Sequence, residues 1–498
     1  MQTSATAALL GLLIAACATP PARAAKTAAD YIAEAPFKMT MPAEPVIPNR
    51  TFNLADYGAV PDGQTLNSAA FAKAIDAVKA AGGGHLIVPQ GLWLTGPIML
   101  CSNLDLHLEA GALVLFTPDH TQFPIINASD DAKKPSWVVQ PLLYGRNLEN
   151  IAITGQGTFD GCGETWRPVK KGKMTDDQWK KLTGSGGVVS GREGKGKSED
   201  STWYPSVGAR DGDKITSKLN RKTATAQDYL PARDAMRPKM FEIHGCDKVL
   251  LDGPTFKNSP KFVINPHHCA NLIIRNINVN NEWWAQNGDG IDISESHDVL
   301  LYNCRVTCGD DGICMKSSGD GKEFALHNVV IAACSVYHAH GGFVCGSNTS
   351  GGMRDVYVTD CTYIDTDVGI RIKSADDRGG VVRDIYIQNI VMHNILNEAV
   401  LFDSFYAHST SDTGAKQPEF CHFSVKNVRC HGAGAAMVVN AGKNSPVHDL
   451  YFEDVTISAA KGVTMSNAKD IVFNKVTIIT PAKPAFSMNN VVNFIEQK

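Results

Sequence analysis

The sequence lacks three features that would each indicate a different class of protein. It has no excess of charge of one sign: the formal net charge is −4 over 498 residues, whereas general nucleic-acid-binding proteins are usually strongly basic. It has no CxxC pair among its 13 cysteines, which argues against a dense disulfide or metal framework. It also lacks the low hydrophobicity of disordered chains, since 43% of its residues are hydrophobic. We therefore expect a large folded core and no nucleic-acid partner.

The only long apolar run lies at the amino terminus, where residues 7–16 read AALLGLLIAA. It has the length of a signal-peptide core and is too short to cross a bilayer. We expect residues 1–24 to be an export signal with an Ala-x-Ala cleavage site, or a lipoprotein signal that ends before Cys17, a candidate lipid-anchor site. Residues 25–50 would form an extended linker. The protein would be periplasmic, secreted or an outer-membrane lipoprotein. No Lys or Arg precedes the run, which makes the signal a weak one, and the alternative interpretation is a buried core helix.

Internal repetition is the strongest structural signal in the chain. Nine-residue segments recur, and each has a short polar residue followed by an alternating run of apolar residues, which indicates a strand. Most segments start 21–30 residues apart, which is too short for a strand-helix-strand unit of about 30 or more residues. The segments are KVLLDGPTF from Lys248, NLIIRNINV from Asn271, DVLLYNCRV from Asp298, NVVIAACSV from Asn328, DVYVTDCTY from Asp355, DIYIQNIVM from Asp384, HFSVKNVRC from His422, DLYFEDVTI from Asp449 and DIVFNKVTI from Asp470.

A second short strand follows in many units, as in GIDIS, GICMKS, GFVCGS and GIRIKS. Short strands separated by Gly, Asn and Asp turns at this period predict an all-β fold, a single right-handed parallel β-helix over residues 51–498. Its coils would stack about 4.8 Å apart, so inward residues would form columns along the axis. Cys304, Cys334 and Cys361 share one such column, and buried free thiols are their simplest interpretation, with disulfides and metal ligation as alternatives.

Two segments depart from the repeat. Phe71, Ala74, Ile75 and Val78 have helical spacing, and such a helix would cap the open end of the β-helix, where an exposed edge invites aggregation. Between about residues 162 and 247 we predict a long lateral insertion. Residues 167–239 hold 17 Lys and Arg against 9 Asp and Glu, so the insertion is either a solvated loop or a lid that attracts an acidic ligand.

Three carboxylates should converge at one turn of the predicted β-helix. Asp310 and Asp311 lie between two glycines at the entry to a second strand, and Asp289 lies at the same turn of the preceding coil. If Ile291 stacks on Ile313, then Asp289 stacks on Asp311. Like charges stacked at under about 5 Å are costly, which favours a functional site over a structural role.

Three cationic or titratable residues extend this stripe over the next two coils. The register places His340 in the column of Asp310. On the coil after that, Arg371 and Lys373 lie two residues apart, so both face outward while Ile370 and Ile372 face the core. Paired carboxyl groups suit glycoside hydrolysis, which needs one protonated and one ionised group. Arg and Lys beside them would bind an anionic substituent such as a uronate carboxylate.

Four motifs in this stripe, in order and spacing, resemble the polygalacturonases, glycoside hydrolase family 28. They are Asn287-x-Asp289, Gly309-Asp310-Asp311, His340-Gly341 and Arg371-Ile372-Lys373. The resemblance runs from about residue 45 to about residue 470. Gly288 and Ala339 depart from the family's usual Thr and Gly, but the reactive groups are intact.

The resemblance implies a pectin-lyase-like β-helix that hydrolyses α-1,4-galacturonosyl bonds in pectin or polygalacturonate with inversion, without cofactor or metal. Asp310 would be the general acid, Asp289 and Asp311 would activate the attacking water, and His340 would tune the acid by hydrogen bonding. The partner would be an acidic plant cell-wall polysaccharide or its oligosaccharides, bound by a monomer.

The remaining residues would bind the sugar. In the family resemblance, Arg371 and Lys373 hold a galacturonate carboxylate next to the scissile bond, and Asn287 contacts the sugar or orients its neighbours. The insertion would close one end of the groove, which favours exo over endo action. Two alternatives stay open: a pectate lyase, with Arg371 or Lys373 as base and Ca²⁺ held by the carboxylates, and a non-catalytic pectin-binding β-helix.

Overall fold

The computed structural model describes residues 26–129, 134–190, 201–319, 324–406 and 416–497. The predicted export signal and Cys17 lie outside these residues. None of the helices within them combines the length and the apolar character that a membrane span requires.

Within the described residues, thirty strands join in parallel register as three sheets wound about one axis, and this arrangement confirms the predicted right-handed parallel β-helix. Each of the first five nine-residue repeats supplies one strand of sheet I and one of sheet II, and the second predicted strand belongs to sheet III. Sheet I contains Thr51–Asn53, Gly84–Val88, Leu104–Leu108, Glu149–Gly155, Asp247–Asp252, Ala270–Arg275, His297–Tyr302, His327–Ala332 and Val356–Thr359. Sheet II contains Gly91–Thr95, Ala112–Phe116, Thr158–Asp160, Thr255–Lys257, Asn278–Asn280, Arg305–Thr307, Ser335–Tyr337 and Thr362–Ile364. Sheet III contains Ile98–Met99, Leu143–Arg146, Phe241–His244, Ile264–His267, Ile291–Ser294, Asp311–Lys316, Gly341–Cys345 and Ile370–Lys373.

The carboxy-terminal coils use longer strands that turn from one sheet into the next. The first of them pairs with the last separate strand of all three sheets. These strands are Val381–Asp403, Glu419–Asn440, Val447–Ser458, Lys461–Ile479 and Phe486–Gln497.

The polar residue that opens each repeat sets the bend into sheet I. All nine opening residues have φ between 48° and 56°, the left-handed region, which Asn and Asp adopt more readily than other side-chain-bearing residues. Several of these side chains also link adjacent coils: Asn328 Nδ2 donates to Asp298 Oδ1 (2.9 Å), and Asn493 Nδ2 donates to Asp470 Oδ1 (2.8 Å). The repeat is therefore visible in the sequence because its turns need these residue types.

The core is one continuous stack of inward-facing side chains. The column predicted from the repeat is present: Val428 pairs with Ile390 on one side and Val455 on the other, and Cys304, Cys334 and Cys361 precede them at 0–1% exposure. The twelve cysteines of the described residues carry free thiols.

Cys334→Ala should lower the free energy of unfolding by about 1 kcal/mol or somewhat more, because it removes a buried group and leaves a small cavity. Urea unfolding of the two proteins measures this difference. Activity should be unchanged, since Cys334 lies in the core and not on the charged stripe. A thiol titration of unfolded, unreduced protein should find nearly all cysteines reduced; mostly oxidised cysteines would contradict the free-thiol interpretation.

Two helices lie at the amino-terminal end of the β-helix. Ser68–Ala80 caps the first coils as predicted, with Phe71, Ala74, Ile75 and Val78 all buried. Ala28–Glu34 lies within the segment predicted as an extended linker, and a reciprocal capping box between Thr27 and Asp30 starts it. Its Tyr31 and Ile32 pack on the outer face of sheet I.

The lateral insertion spans residues 161–240, because the coil leaves after Asp160 and resumes at Phe241, earlier than the predicted limit near residue 247. The four residues of that strand are too few to reveal the period. The insertion contains helices Asp176–Gly184, Val207–Thr216, Ala226–Tyr229 and Arg233–Met236 and an antiparallel sheet of Val169–Lys170, Val188–Ser190 and Thr202–Tyr204. A separate hairpin pairs Ile125–Asn127 with Trp137–Val139.

The insertion is fastened to the body of the β-helix by buried polar contacts. The His120 ring stacks on Trp166 at 3.4 Å, and its Nδ1 lies 2.8 Å from Asp234 Oδ1. The buried Arg167 donates to the Ser259 carbonyl (2.6 Å) and pairs with Glu282 (2.5 Å). These contacts hold the insertion beside the coils that lead to the charged stripe.

Candidate active site

The strand register brings the predicted charged residues together as the repeat implied. Ile291 pairs with Ile313, so Asp289 lies one coil before Asp311 at the same turn. The His340 amide donates to the Asp310 carbonyl at 2.7 Å, which places these two residues in one column. Ile370 and Ile372 face the core, and the side chains of Arg371 and Lys373 point the other way, toward the carboxylates.

Asp310 is the most accessible of the three carboxylates. Its side chain is 20% exposed, against 5% for Asp289 and 2% for Asp311. Asp310 Oδ1 lies 3.0 Å from His340 Nδ1 and accepts the Asp311 amide at 3.1 Å. On its other side, His340 Nε2 lies 3.7 Å from Asp367 Oδ2. Asp310 therefore has one oxygen fixed by the protein and enough exposure to reach a bound substrate.

Asp311 is held as an anion by two cations. Lys373 Nζ lies 2.7 Å from its Oδ2, and Arg371 donates to its Oδ1 at 3.2 Å. Burial disfavours the ionised form, but Lys373, Lys316 and Arg371 outweigh burial and hold the pKa of Asp311 below its ordinary value. The sequence interpretation assigned Arg371 and Lys373 to a substrate carboxylate, whereas in this structure both contact a carboxylate of the protein.

Asp289 lies in a different electrostatic environment. It is buried beside Asp292, and the two carboxylates share a single lysine: Lys316 Nζ lies 3.3 Å from Asp289 Oδ2 and 3.4 Å from Asp292 Oδ1. Burial, and then repulsion from Asp292, raise the pKa of Asp289 well above its ordinary value, while Lys316 opposes the rise. Sequence reasoning missed Asp292 and Lys316. The predicted register could have found them, because Asp292 shares a column with Arg371, and Lys316 precedes Lys373 in another.

The three carboxylates are close enough to act on one small group. One oxygen from each of Asp289, Asp310 and Asp311 lies within 4.8 Å of the others, so the trio could hold a water molecule or a cation. Because Asp311 is stabilised as an anion and Asp289 tends to keep its proton, the two are not equivalent.

Asp292→Asn should move the acid limb of the profile of kcat/KM against pH to lower pH. An Asp289 that accepts a proton from water must be ionised, so activity falls as the pH falls through its raised pKa. Removing the Asp292 charge lowers that pKa, whereas Lys316→Met should raise it and move the limb the other way. The limb of kcat/KM reports the free enzyme. Asp252→Asn, on sheet I, serves as the control; limbs that do not move in either site variant would exclude Asp289 as the base.

Asn287 lies at the edge of the site and faces the insertion. Its Oδ1 accepts a hydrogen bond from Arg237 at 2.8 Å, and Arg237 also donates to the Gln286 carbonyl at 2.8 Å. Arg237 comes from the end of the insertion, which has no repeat, so no sequence pattern indicated it. The predicted sugar contact of Asn287 stays a prediction.

Residues 221–478, which carry all seven predicted site residues, match the family model described as glycosyl hydrolases family 28. The chain belongs to this family and is thus a glycoside hydrolase. It is 28% identical over 448 residues to an exo-poly-alpha-D-galacturonosidase of Dickeya chrysanthemi, covering 86% of this chain and 71% of the relative. A probable polygalacturonase of Vitis vinifera is 26% identical, covering 82% and 74%.

Solved structures give the same fold. A hyperthermoactive exopolygalacturonase from Thermotoga maritima superposes with a TM-score of 0.70 at 28% identity, covering 90% of this chain and 94% of that one. A family 28 exopolygalacturonase of Yersinia enterocolitica also gives 0.70, at 21% identity, with coverage of 90% and 78%; at that identity the likeness concerns the fold alone.

Proposed function

We propose that the protein hydrolyses α-1,4-galacturonosyl bonds of polygalacturonate or its oligosaccharides and acts from a chain end. The observation that carries this proposal is the division of charge in the site: an accessible Asp310 hydrogen-bonded to His340, beside an Asp311 kept anionic by Arg371 and Lys373. Glycosidases need this combination of a proton donor and an ionised carboxylate. The names of the relatives in Dickeya and Thermotoga support the same substrate.

In the proposed reaction, Asp310 gives its proton to the glycosidic oxygen as the bond to the anomeric carbon breaks. A water molecule attacks that carbon and loses a proton to Asp311 or Asp289. His340 Nδ1, 3.0 Å from Asp310 Oδ1, orients the acid and stabilises its anion after proton transfer. The next cycle begins when Asp310 has regained a proton and the carboxylate that accepted the water's proton has released it to solvent.

We propose inversion at the anomeric carbon, as the family resemblance implies. The nearest oxygens of the three carboxylates lie within 4.8 Å of one another. That is closer than the roughly 6.5–9.5 Å typical of carboxyl groups in inverting enzymes. Proton NMR of the first products is therefore the direct test: the β-anomer supports inversion, and the α-anomer indicates retention.

Arg371 and Lys373 would also receive the substrate carboxylate. Arg371 Nε has no hydrogen-bond partner among the described residues. Both cations lie over the Tyr406 ring, at 5.5 Å and 4.6 Å from its centre. A substrate carboxylate would then share these cations with Asp311, and binding would couple directly to the ionisation of the site.

Exo action is supported by the position of the insertion, which Arg237 joins to the loop that carries Asn287. Products from polygalacturonate, separated by size over time, test the proposal. Early release of a single short product is expected, whereas a ladder of oligomers would indicate endo action. Activity that needs Ca²⁺ and yields unsaturated products absorbing in the ultraviolet would indicate a lyase, and binding without new reducing ends a non-catalytic module.

We also propose that the protein is exported, that it acts as a monomer on plant cell-wall pectin, and that Cys17 is the candidate lipid anchor. The sequence of the amino terminus supports the export and the anchor. Cell fractionation and mass spectrometry of the mature amino terminus test this proposal; an intact Met1 in the cytoplasm would exclude it.

A further inference from the structure

A cationic pocket lies next to the carboxylates, between the insertion and the β-helix. It has a volume of about 290 Å³, and its charged lining consists of Arg237, Lys239 and Lys261 together with Asp213 and Glu242. The register fixes its position: because Ile264 pairs with Ile291, Phe262 lies one coil before Asp289. The same count places Lys239 one further coil back. The pocket thus lies one to two coils from Asp289, on the side away from Arg371 and Lys373.

Positive charge exceeds negative charge in the lining of this pocket, where Asp213 and Glu242 face three cations. Lys239 is paired with Glu242 at 2.7 Å. Arg237, in contrast, donates to neutral oxygens of Pro260, Gln286 and Asn287. Among the described residues no carboxylate lies within 4.0 Å of the Lys261 ammonium group, which lies 5.8 Å from the centre of the Phe262 ring. Two partly buried cations are therefore available to an anion.

The two cations also repel one another. Burial, and then repulsion from Arg237 and Lys239, lower the pKa of Lys261 to about 8. Burial, and then Arg167, lower the pKa of Arg237 to about 10. Removing charges from water without a partner is costly, and an anion bound between them would offset that cost.

We propose that Lys261, assisted by Arg237, binds the carboxylate of the terminal galacturonate, on the opposite side of the scissile bond from Arg371 and Lys373. This inference rests on the proposed function. One coil rises about 4.8 Å, comparable to one sugar ring, so a galacturonate beside Asp289 would reach this pocket. Ala235 and Met236 of the insertion also line it, so the insertion forms one wall of the pocket. The pocket would therefore bind the charged end of the chain.

The test compares three substrates: a short oligogalacturonate and two analogues in which the carboxyl group at one end or at the other is reduced to an alcohol. Lys261→Met should lower kcat/KM on the fully acidic oligomer by roughly ten- to 150-fold, which is the factor expected for the loss of one charge-assisted hydrogen bond. On the analogue whose neutral end occupies the pocket, wild type should already have a low kcat/KM, and Lys261→Met should lower that value little further. Lys261→Arg should retain the wild-type discrimination.

Lys257→Met is the matched control. Lys257 lies four residues before Lys261 and is paired with Asp160 at 3.1 Å. The Lys257→Met enzyme should discriminate among the three substrates as wild type does. Because each result is a ratio between substrates for one variant, a lower fraction of folded enzyme cancels. An equal loss for Lys261→Met on all three substrates, or no loss on any, would overturn the inference. A wild type that releases no reducing ends from any oligomer would instead contradict the proposed function.

Discussion

Asp310→Asn should leave the fold intact and reduce kcat on polygalacturonate by roughly 10²–10⁴-fold, the range that general acid catalysis contributes. The amide is nearly isosteric with the carboxyl group, so its oxygen can still face His340 and the Asp311 amide. It cannot, however, protonate a glycosidic oxygen, and a sugar leaving group departs poorly as an alkoxide.

The measurement is initial rate on polygalacturonate, with circular dichroism and the melting temperature as fold controls. Asp365→Asn replaces a carboxylate at a turn after a sheet II strand, outside the site, and should stay near wild type. Asp310→Asn activity within threefold of wild type would exclude Asp310 as the acid and direct attention to Asp289, whose raised pKa makes it the other candidate proton donor.

Lys373→Met should lower both stability and activity. Lys373 and Asp311 are 4% and 2% exposed, so the variant leaves a buried carboxylate without its nearest cation. Breaking a buried pair in this way costs roughly 3–5 kcal/mol, and Arg371, which remains in contact with Asp311, favours the lower end. Activity should fall as well, because Asp311 would hold its proton more tightly and the substrate carboxylate would lose a ligand.

Denaturant unfolding as a function of pH separates these causes. The wild-type pair contributes stability above the unfolded pKa of an aspartate, about 3.9, and this contribution is lost as the pH falls through the depressed pKa of Asp311. The stability difference between wild type and Lys373→Met should therefore shrink in acid. The double variant with Asp311→Asn should recover much of the loss; no recovery would contradict the pairing.

Comparison of substrates tests the second role of the same residues. Methyl-esterified polymer carries no carboxylate charge, so the activity of wild type on it should be low. Arg371→Ala and Lys373→Met should therefore reduce activity less on the esterified polymer than on the free acid. Both residues contact Asp311, so their effects should be non-additive. An equal proportional loss on the two polymers would show that they act only through Asp311.

The fold and the column positions of the site could be predicted because the residue types that recur in the repeat are those that its backbone conformation requires. Asn and Asp open most repeats since the left-handed turn suits them, and the strand between successive turns fixes the register. The pairing of Ile291 with Ile313 then places Asp289 beside Asp310 and Asp311, and the pairing of Asp311 with Gly341 places His340 on the next coil.

What could not be predicted depends on side-chain direction and on aperiodic segments. The register places Lys373 in the column of Lys316, and its reach across two coils to the Asp311 carboxylate depends on its rotamer. Likewise, the sharing of Lys316 by Asp289 and Asp292 depends on burial. Arg237 belongs to the insertion, whose helices and small antiparallel sheet have no period to count from. The sequence therefore predicted the positions of the charged residues along the coils, but not which of them form ion pairs with one another.

The uniform rise of the coils determines where this molecule could gain length. The catalytic stripe occupies four successive coils, from the strand after Asp289 to the strand of Arg371 and Lys373. An extra coil within this interval would move the groups on its two sides about 4.8 Å further apart and so break up the site. An extra coil after Asp403 would only lengthen the molecule. Growth is thus restricted to places outside the stripe, so a longer relative could gain binding surface without any change in its chemistry.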